Sequence, residues 1–570
     1  MKRGFFVGIL LFIIIVLIFV GIGGFFYMKM NEEPKIVDNS ILEINLSGVV
    51  KDNNSSYLDK NLSIRDLFYH IRRAKIDKRI KAIYIKISNL SIGFAKTEDI
   101  GRILKDFRQS NKKVYAYVET GGLREFYLAS FADKVYLFKG GYYNFNGLAI
   151  EAMFLKDTLS KIGVNAQIFH RGAYKTASNM FMENDITEAH RESIQMLLDD
   201  IYTSTLNGLA KNRGIKAFDI KNLVNEQPVS NVPYKRLGLV DSIVYQDEVI
   251  KEFKDAKMKI LSLSNYMETT KPLPYKGKNK IAVIFASGEI HLGKSGGKSL
   301  FGNKIMGSDT VAAQLKSARL DKNVKAVVLR IDSPGGSAIA SEVIRREAAL
   351  ISKTKHLVIS MSDVAASGGY WIALASSNVF ALEQTITASI GVITGKFVLK
   401  ELYDKLGIKK TILKTSDYAD LYSDYKPFNE RELKKINETL DYIYNDFVNL
   451  VSKNRGIKIN KLVVSEDISV KPIAEGRVWS GTRALKLKLI DKIGGLYAAI
   501  KEAKKLAGIK DNENIGVSIY PKKPTLMSLI TSYIGGSRSM ILSPSDITKK
   551  ILIYNKFFPA LVMPYAVEIK

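Results

Sequence analysis

Hydrophobic and polar positions fall into two regimes along this chain. From Phe5 to Tyr27 the sequence FFVGILLFIIIVLIFVGIGGFFY carries no charge. As a helix rising about 1.5 Å per residue it extends about 35 Å, enough to cross a bilayer. Lys2 and Arg3 precede it, and no small-x-small cleavage site follows before MKMNEEPK. A cleaved secretory signal has an apolar stretch of only about 7–15 residues, so this stretch predicts an uncleaved signal-anchor helix, assigned to residues 1–30. Its basic head belongs in the cytoplasm, which puts the rest of a single-pass chain on the periplasmic or extracytoplasmic side of a bacterial cytoplasmic membrane.

Beyond this segment, runs rich in β-branched residues alternate with stretches of helical period. IAVIFASGEI, VKAVVLRID, HLVISMS and VFALEQ read as strands, whereas SDTVAAQLKSARLD, SEVIRREAALISK and SGGYWIALASS read as helices. The alternation predicts an α/β class with mostly parallel sheets covered by helices. The pattern also occurs twice. DKRIKAIYIKIS at Asp77 returns as DKNVKAVVLRID at Asp321, an offset of 244 residues, and KIGVNAQIFHRGAYK at Lys161 returns as KLGIKKTILKTSDYA at Lys405 with the same offset. KNRGIK occurs at Lys211 and again at Lys453. Order kept with small drifts is the mark of a tandem duplication. The repeats are assigned to 40–250 and 281–510, with a polar, Pro/Gly-containing linker at 251–280 and a tail at 511–570. The apolar runs of the tail are broken by Pro and Gly, so it is expected to pack on a neighbouring subunit or the membrane surface rather than to form a second span.

Composition narrows the chemistry. The 570 residues include no cysteine, which excludes disulfides, thiolate metal sites and cysteine nucleophiles. The formal net charge of +28 comes from lysines scattered along the whole length. That distribution reads as a solvated surface suited to anionic membrane lipid rather than as a nucleic-acid footprint. The five histidines show no paired ligand spacing, so no metal or other cofactor is expected. LGKSGGKS (292–299) resembles a phosphate loop but lacks its first glycine and any following helix, and reads as a mobile loop.

Each repeat serves as the control for the other. At the 244 offset, Ser367 in VAASGGYWIA falls on Leu123, and SPGGS (333–337) falls on NLSIG (89–93). Conversely, Lys175 in RGAYKTAS falls on Ala419. Each half lacks what the other holds, which points to one composite site. A serine hydroxyl attacks once a base takes its proton, and lysine can be that base if burial keeps it neutral. The residues NAQIF and NMFM near Lys175 make such burial plausible. Gly335 and Gly336 follow a predicted strand, and Gly368 follows Ser367 at a helix start. All three can present backbone N–H groups to an oxyanion. Ser389 in ITASIGV is a candidate hydroxyl to orient the lysine. Asp332 and Asp363 read as local strand-end residues, and GRVWSG (476–481) as a turn.

DSPGGS, AASGGYWIA, TASIGV, EGRVWSG and GAYKTAS, behind a signal-anchor, together resemble the long, duplicated form of the signal peptide peptidase A (protease IV) family. The resemblance covers residues from about 40 to 500. It implies a crotonase/Clp-like unit in each repeat, a Ser/Lys dyad matching Ser367 and Lys175, and a hydroxyl matching Ser389. It also implies a homotetramer on the outer face of the cytoplasmic membrane that degrades released signal peptides. The expected protein is therefore a membrane-anchored serine endopeptidase acting on apolar peptides. Two other readings remain open at this level: an acyl-CoA hydratase or isomerase on the same fold, and a non-catalytic scaffold for membrane peptides.

Overall fold

The computed structural model describes residues 36–54, 61–270, 279–299, 304–463, 472–510 and 515–521, and the backbone of 557–562. The predicted signal-anchor lies outside the described residues, and among those described no helix is long and apolar enough to cross a membrane.

In the first repeat, β1 (Ser40–Gly48), β2 (Ile80–Leu90), β3 (Lys113–Gly122) and β4 (Lys134–Phe138) pair in parallel, and α1 (Phe94–Arg108) connects β2 to β3. β5 (Asn165–Arg171) leaves this sheet, while β6 (Ser242–Val244) and β7 (Lys259–Ser262) extend it in parallel beside β4 and β1. β7 and the helix Leu263–Thr269 thus carry the first repeat into the stretch assigned to a linker. The strand KILS has a single buried residue, too little for a readable hydrophobic pattern.

The second repeat follows the same plan. β8 (Lys280–Ser287), β9 (Glu289–His291), β10 (Ile305–Gly307), β11 (Val324–Ser333), β12 (Gly335–Ser337) and β13 (His356–Ala366) are followed by the short helix α2 (Gly368–Ala373). β14 (Ile386–Ala388), β15 (Val392–Val398), β16 (Val478–Ser480), α3 (Leu496–Leu506) and β17 (Gly516–Tyr520) come next, and β18 (Phe557–Val562) comes last. The second sheet has the order β16-β14-β13-β11-β8-β17 and is parallel except at β16. β17 flanks β8 as β7 flanks β1, so part of the expected tail completes a sheet. The helices Glu188–Arg213 and Glu430–Arg455 correspond between repeats, and each stops at a left-handed glycine, Gly214 or Gly456. A residue without Cβ takes that conformation at low cost.

Strand periodicity decides what each face of the second sheet meets. On β11, Val327, Leu329 and Ile331 enter the core of the second repeat, whereas Ala326 and Val328 join a core shared with Ile83, Ile85 and Ile87 of β2. Arg330 and Asp332 continue this second series, towards the first repeat.

A third sheet runs β10-β9-β12-β18-β15-β5 and joins the two halves directly. β5 of the first repeat pairs antiparallel with β15 of the second along its whole length, from Val392 opposite Arg171 to Val398 opposite Asn165. β18 lies between β12 and β15, antiparallel to both. This part of the tail is therefore a strand of the chain's own sheet.

Candidate active site

Lys175 lies four residues beyond the end of β5, in a tight turn where its N–H donates to the Gly172 carbonyl at 3.0 Å. The β5–β15 pairing carries it across into the second repeat. Its side chain is fully buried, and Nζ lies 2.7 Å from Ser367 Oγ, 2.9 Å from Ser389 Oγ and 2.9 Å from the Ser389 carbonyl oxygen. None of these oxygens is charged. Burial therefore acts unopposed and pushes the Lys175 pKa well below its ordinary value, which favours the neutral amine.

Ser367 stands between β13 and α2 with φ 54° and ψ −112°. A non-glycine residue at positive φ is strained, and the surrounding structure has to hold it there. The Ser367 N–H donates to the Ala388 carbonyl at 2.7 Å, and its carbonyl accepts the Trp371 N–H at 2.8 Å. Ala388 and Ser389 also have positive φ, 67° and 53°, and the Ser389 N–H donates to the Arg477 carbonyl at 2.9 Å. Three strained residues from two segments thus converge on one amine.

The predicted glycines lie beside this pair. A Cβ at Gly368 would fall 3.3 Å from the Gly335 Cα, so the helix start and the glycine turn are in contact. Gly336 has φ 149°, and a Cβ there would meet the Ile290 carbonyl oxygen at 2.1 Å, so this close approach requires glycine. The Gly335 N–H donates to Ser333 Oγ at 3.2 Å.

Two neighbours escape the sequence reading. Gly476, in the stretch read as a turn, approaches the backbone of Lys175, and Gly391 lies against the side-chain stem, with a Cβ position 3.0 Å from Cδ. Both stand in motifs noted above, EGRVWSG and TASIGV, but only the packing reveals their use. In the repeats' other halves, Leu123 is a buried apolar residue and Ala419 is exposed on a loop, so neither equivalent position holds a polar group.

The chemistry of the arrangement is specific. A neutral lysine has two N–H donors and one lone pair. Donation to the two Ser389 oxygens leaves the lone pair for the Ser367 O–H, the geometry a general base requires.

A family model for peptidase family S49 matches residues 106–259 and 349–510, one stretch in each repeat. The chloroplastic serine protease SPPA of Arabidopsis thaliana is 33% identical over 513 residues, covering 88% of this chain and 74% of that protein. Protease 4 of Haemophilus influenzae is 30% identical over 502 residues, with 84% and 78% covered. Protease 4 of Salmonella typhi is 29% identical over 560 residues, with 92% and 88% covered. These matches span both repeats, and the chain is a serine peptidase belonging to peptidase family S49, in the duplicated, protease IV-like form.

Proposed function

We propose that the protein is a membrane-anchored endopeptidase that cleaves extended, apolar peptides, released signal peptides among them, at the outer face of the cytoplasmic membrane. The observation that carries the reading is the 2.7 Å separation of Lys175 Nζ and Ser367 Oγ, with the lysine fully buried.

Ser367 Oγ attacks the scissile carbonyl while Lys175 Nζ takes the hydroxyl proton. The resulting oxyanion is assigned to backbone donors of Gly368 and Gly336, the Gly335 N–H being engaged by Ser333 Oγ. Collapse expels the amine, which receives the proton from Lys175 and leaves an acyl ester on Ser367. Water then loses a proton to Lys175 Nζ and attacks the ester, and Ser367 Oγ takes that proton back as the ester bond breaks and the second product leaves. Ser389 keeps the lysine aligned throughout.

Two features support the substrate class. β18 lies as an extended strand between β12 and β15, the position a peptide would take by β-augmentation next to the glycine turn. The apolar segment from Phe5 to Tyr27 would hold the enzyme where cleaved signal peptides remain. The homotetramer implied by the family resemblance belongs to the same reading, and sedimentation in detergent tests it.

The decisive experiment compares Ser367→Ala and Lys175→Ala in cleavage of an apolar reporter peptide. Both should be inactive with unchanged circular dichroism, and turnover surviving in either one overturns the dyad.

A further inference from the structure

A second buried lysine crosses from the first repeat to the second. Lys96, in the first turn of α1, places Nζ 2.6 Å from Asp332 Oδ2, 3.3 Å from Asp363 Oδ2 and 3.4 Å from Asp52 Oδ2. Asp332 is the penultimate residue of β11, just before the glycine turn, and Asp363 lies in the last part of the adjacent strand β13, four residues before Ser367. The ladder between these strands is interrupted at this point. Ile331 pairs with Met361 and Ser333 with Ala365, so the single residue Asp332 faces Ser362, Asp363 and Val364.

Side chains hold the strands together where the regular ladder is broken. Asp332 Oδ1 accepts the Val364 N–H at 3.2 Å, and the Asp332 carbonyl accepts the Gly288 N–H at 2.9 Å. Asp363 accepts the N–H groups of Gly93 at 3.1 Å and Lys96 at 2.8 Å, capping α1, which starts after a glycine with no side chain to do so. Behind them, fully buried Arg330 binds Asp52 at 2.9 Å and Asp99 at 2.8 Å. Four carboxylates thus share two cations. Burial pushes the Asp332 pKa up to about 7, with the carboxylates of Asp52 and Asp363 adding to the shift and Lys96 opposing it. Burial also works against the Lys96 charge, but the surrounding carboxylates outweigh it and hold the ammonium well above its usual range.

We propose that Lys96 is a positioning residue for the peptidase reaction, acting through Asp332 and Asp363 to fix the ends of β11 and β13 and thereby the placement of the glycine turn relative to Ser367 Oγ. The proposal rests on the dyad reading above. Without the ammonium, Asp332 and Asp363 lose the cation that bridges them and burial favours a protonated Asp332, so the segments carrying nucleophile and oxyanion donors are no longer tied together. A displacement of about 1 Å in such a constellation costs about 10²-fold in rate.

The test uses the full-length protein in detergent with an apolar reporter peptide and fluorophosphonate labelling of Ser367. Lys96→Met should lower kcat by about 10²-fold and slow labelling, while KM stays within about threefold and the acid limb of the pH–rate profile does not move. Lys96→Arg should recover at least about tenfold of the loss. If Lys96→Met does not fold, the double variant Lys96→Met/Asp332→Asn removes the charge together with its partner, and should fold with kcat similarly reduced. A folded variant lacking Lys96 that keeps parental kcat per labelled enzyme, with only a lower melting temperature, overturns the proposal. Turnover surviving Ser367→Ala in the same assay would instead overturn the dyad, a separate and distinguishable result.

Discussion

Gly476 sits so close to Lys175 that a Cβ on the glycine would be 2.6 Å from the lysine Cα. Its φ of 80° is also one that a residue with a side chain rarely adopts. Gly476→Ala should therefore push the lysine backbone away from Ser367. We expect kcat to fall by about 10²-fold, with slower fluorophosphonate labelling and little change in circular dichroism. Unchanged kinetics in a folded variant would show that the turn yields without moving the amine.

Ser389 contacts Lys175 Nζ through two oxygens, of which only Oγ belongs to the side chain. Ser389→Ala keeps the carbonyl contact, so the expected loss in kcat/KM is about tenfold, the equivalent of one net hydrogen bond of about 1–1.5 kcal/mol. A loss as complete as that of Lys175→Ala would give Ser389 a larger role than alignment.

The depressed pKa of Lys175 links protonation to folding. In the unfolded chain this lysine titrates near about 10.4. Between its folded value and that point the unfolded state binds more protons, so stability rises with pH. Urea denaturation from pH 8 to 10 should show this upward slope in the parent and a flatter one in Lys175→Met. The window lies above the titration of Asp332 at about 7, whose raised folded value works the other way, its stabilising contribution being lost as pH rises through 7. Activity should likewise rise on the acid side as the amine loses its proton. Equal slopes in parent and variant would mean that the amine is charged in the folded protein.

Asp99 joins the repeats at two points: it pairs with Arg330 at 2.8 Å and accepts the Leu496 N–H at 3.2 Å, at the start of α3. Asp99→Ala leaves a fully buried guanidinium short of one carboxylate. The expected destabilisation is about 3–5 kcal/mol, read by urea denaturation. A shift below about 1 kcal/mol would mean that Asp52 and the serines around Arg330 suffice.

β18 occupies the gap between β12 and β15 next to the glycine turn. Removing residues 522–570 should lower KM for the reporter peptide by about threefold or more, because a tethered competitor acts at high effective concentration. A synthetic peptide of sequence FFPALV should inhibit the truncated enzyme competitively. An unchanged KM would show that the strand yields freely to substrate.

Much of this was readable from one sequence because the duplication supplies an internal comparison. Serine and lysine could be named as partners since each repeat has an apolar or small residue where the other has the functional group. Sheets and helices followed from strand alternation and the 244-residue offset. What escaped reading depends on contacts with no local signature. Asp363 looks like a residue that ends its own strand, yet it caps a helix 270 residues earlier in the chain. Lys96 looks like one more surface lysine in a chain full of them. Gly476 and Gly391 sit in recognisable motifs, but nothing along the sequence shows that the space they leave is filled by an aliphatic stem from the other repeat. β18 follows a long, Pro- and Gly-broken tail whose period predicts no strand.

The antiparallel seam between β5 and β15 also sets a timetable for synthesis. The amine leaves the ribosome 192 residues ahead of the hydroxyl, a lag of about 10–40 s at about 5–20 residues per second. Throughout that interval the nascent chain holds half of a cutting device. It gains the other half only when β15 is complete and zips onto a strand made long before. The dyad therefore cannot form until the seam residues Val392–Val398 have been made.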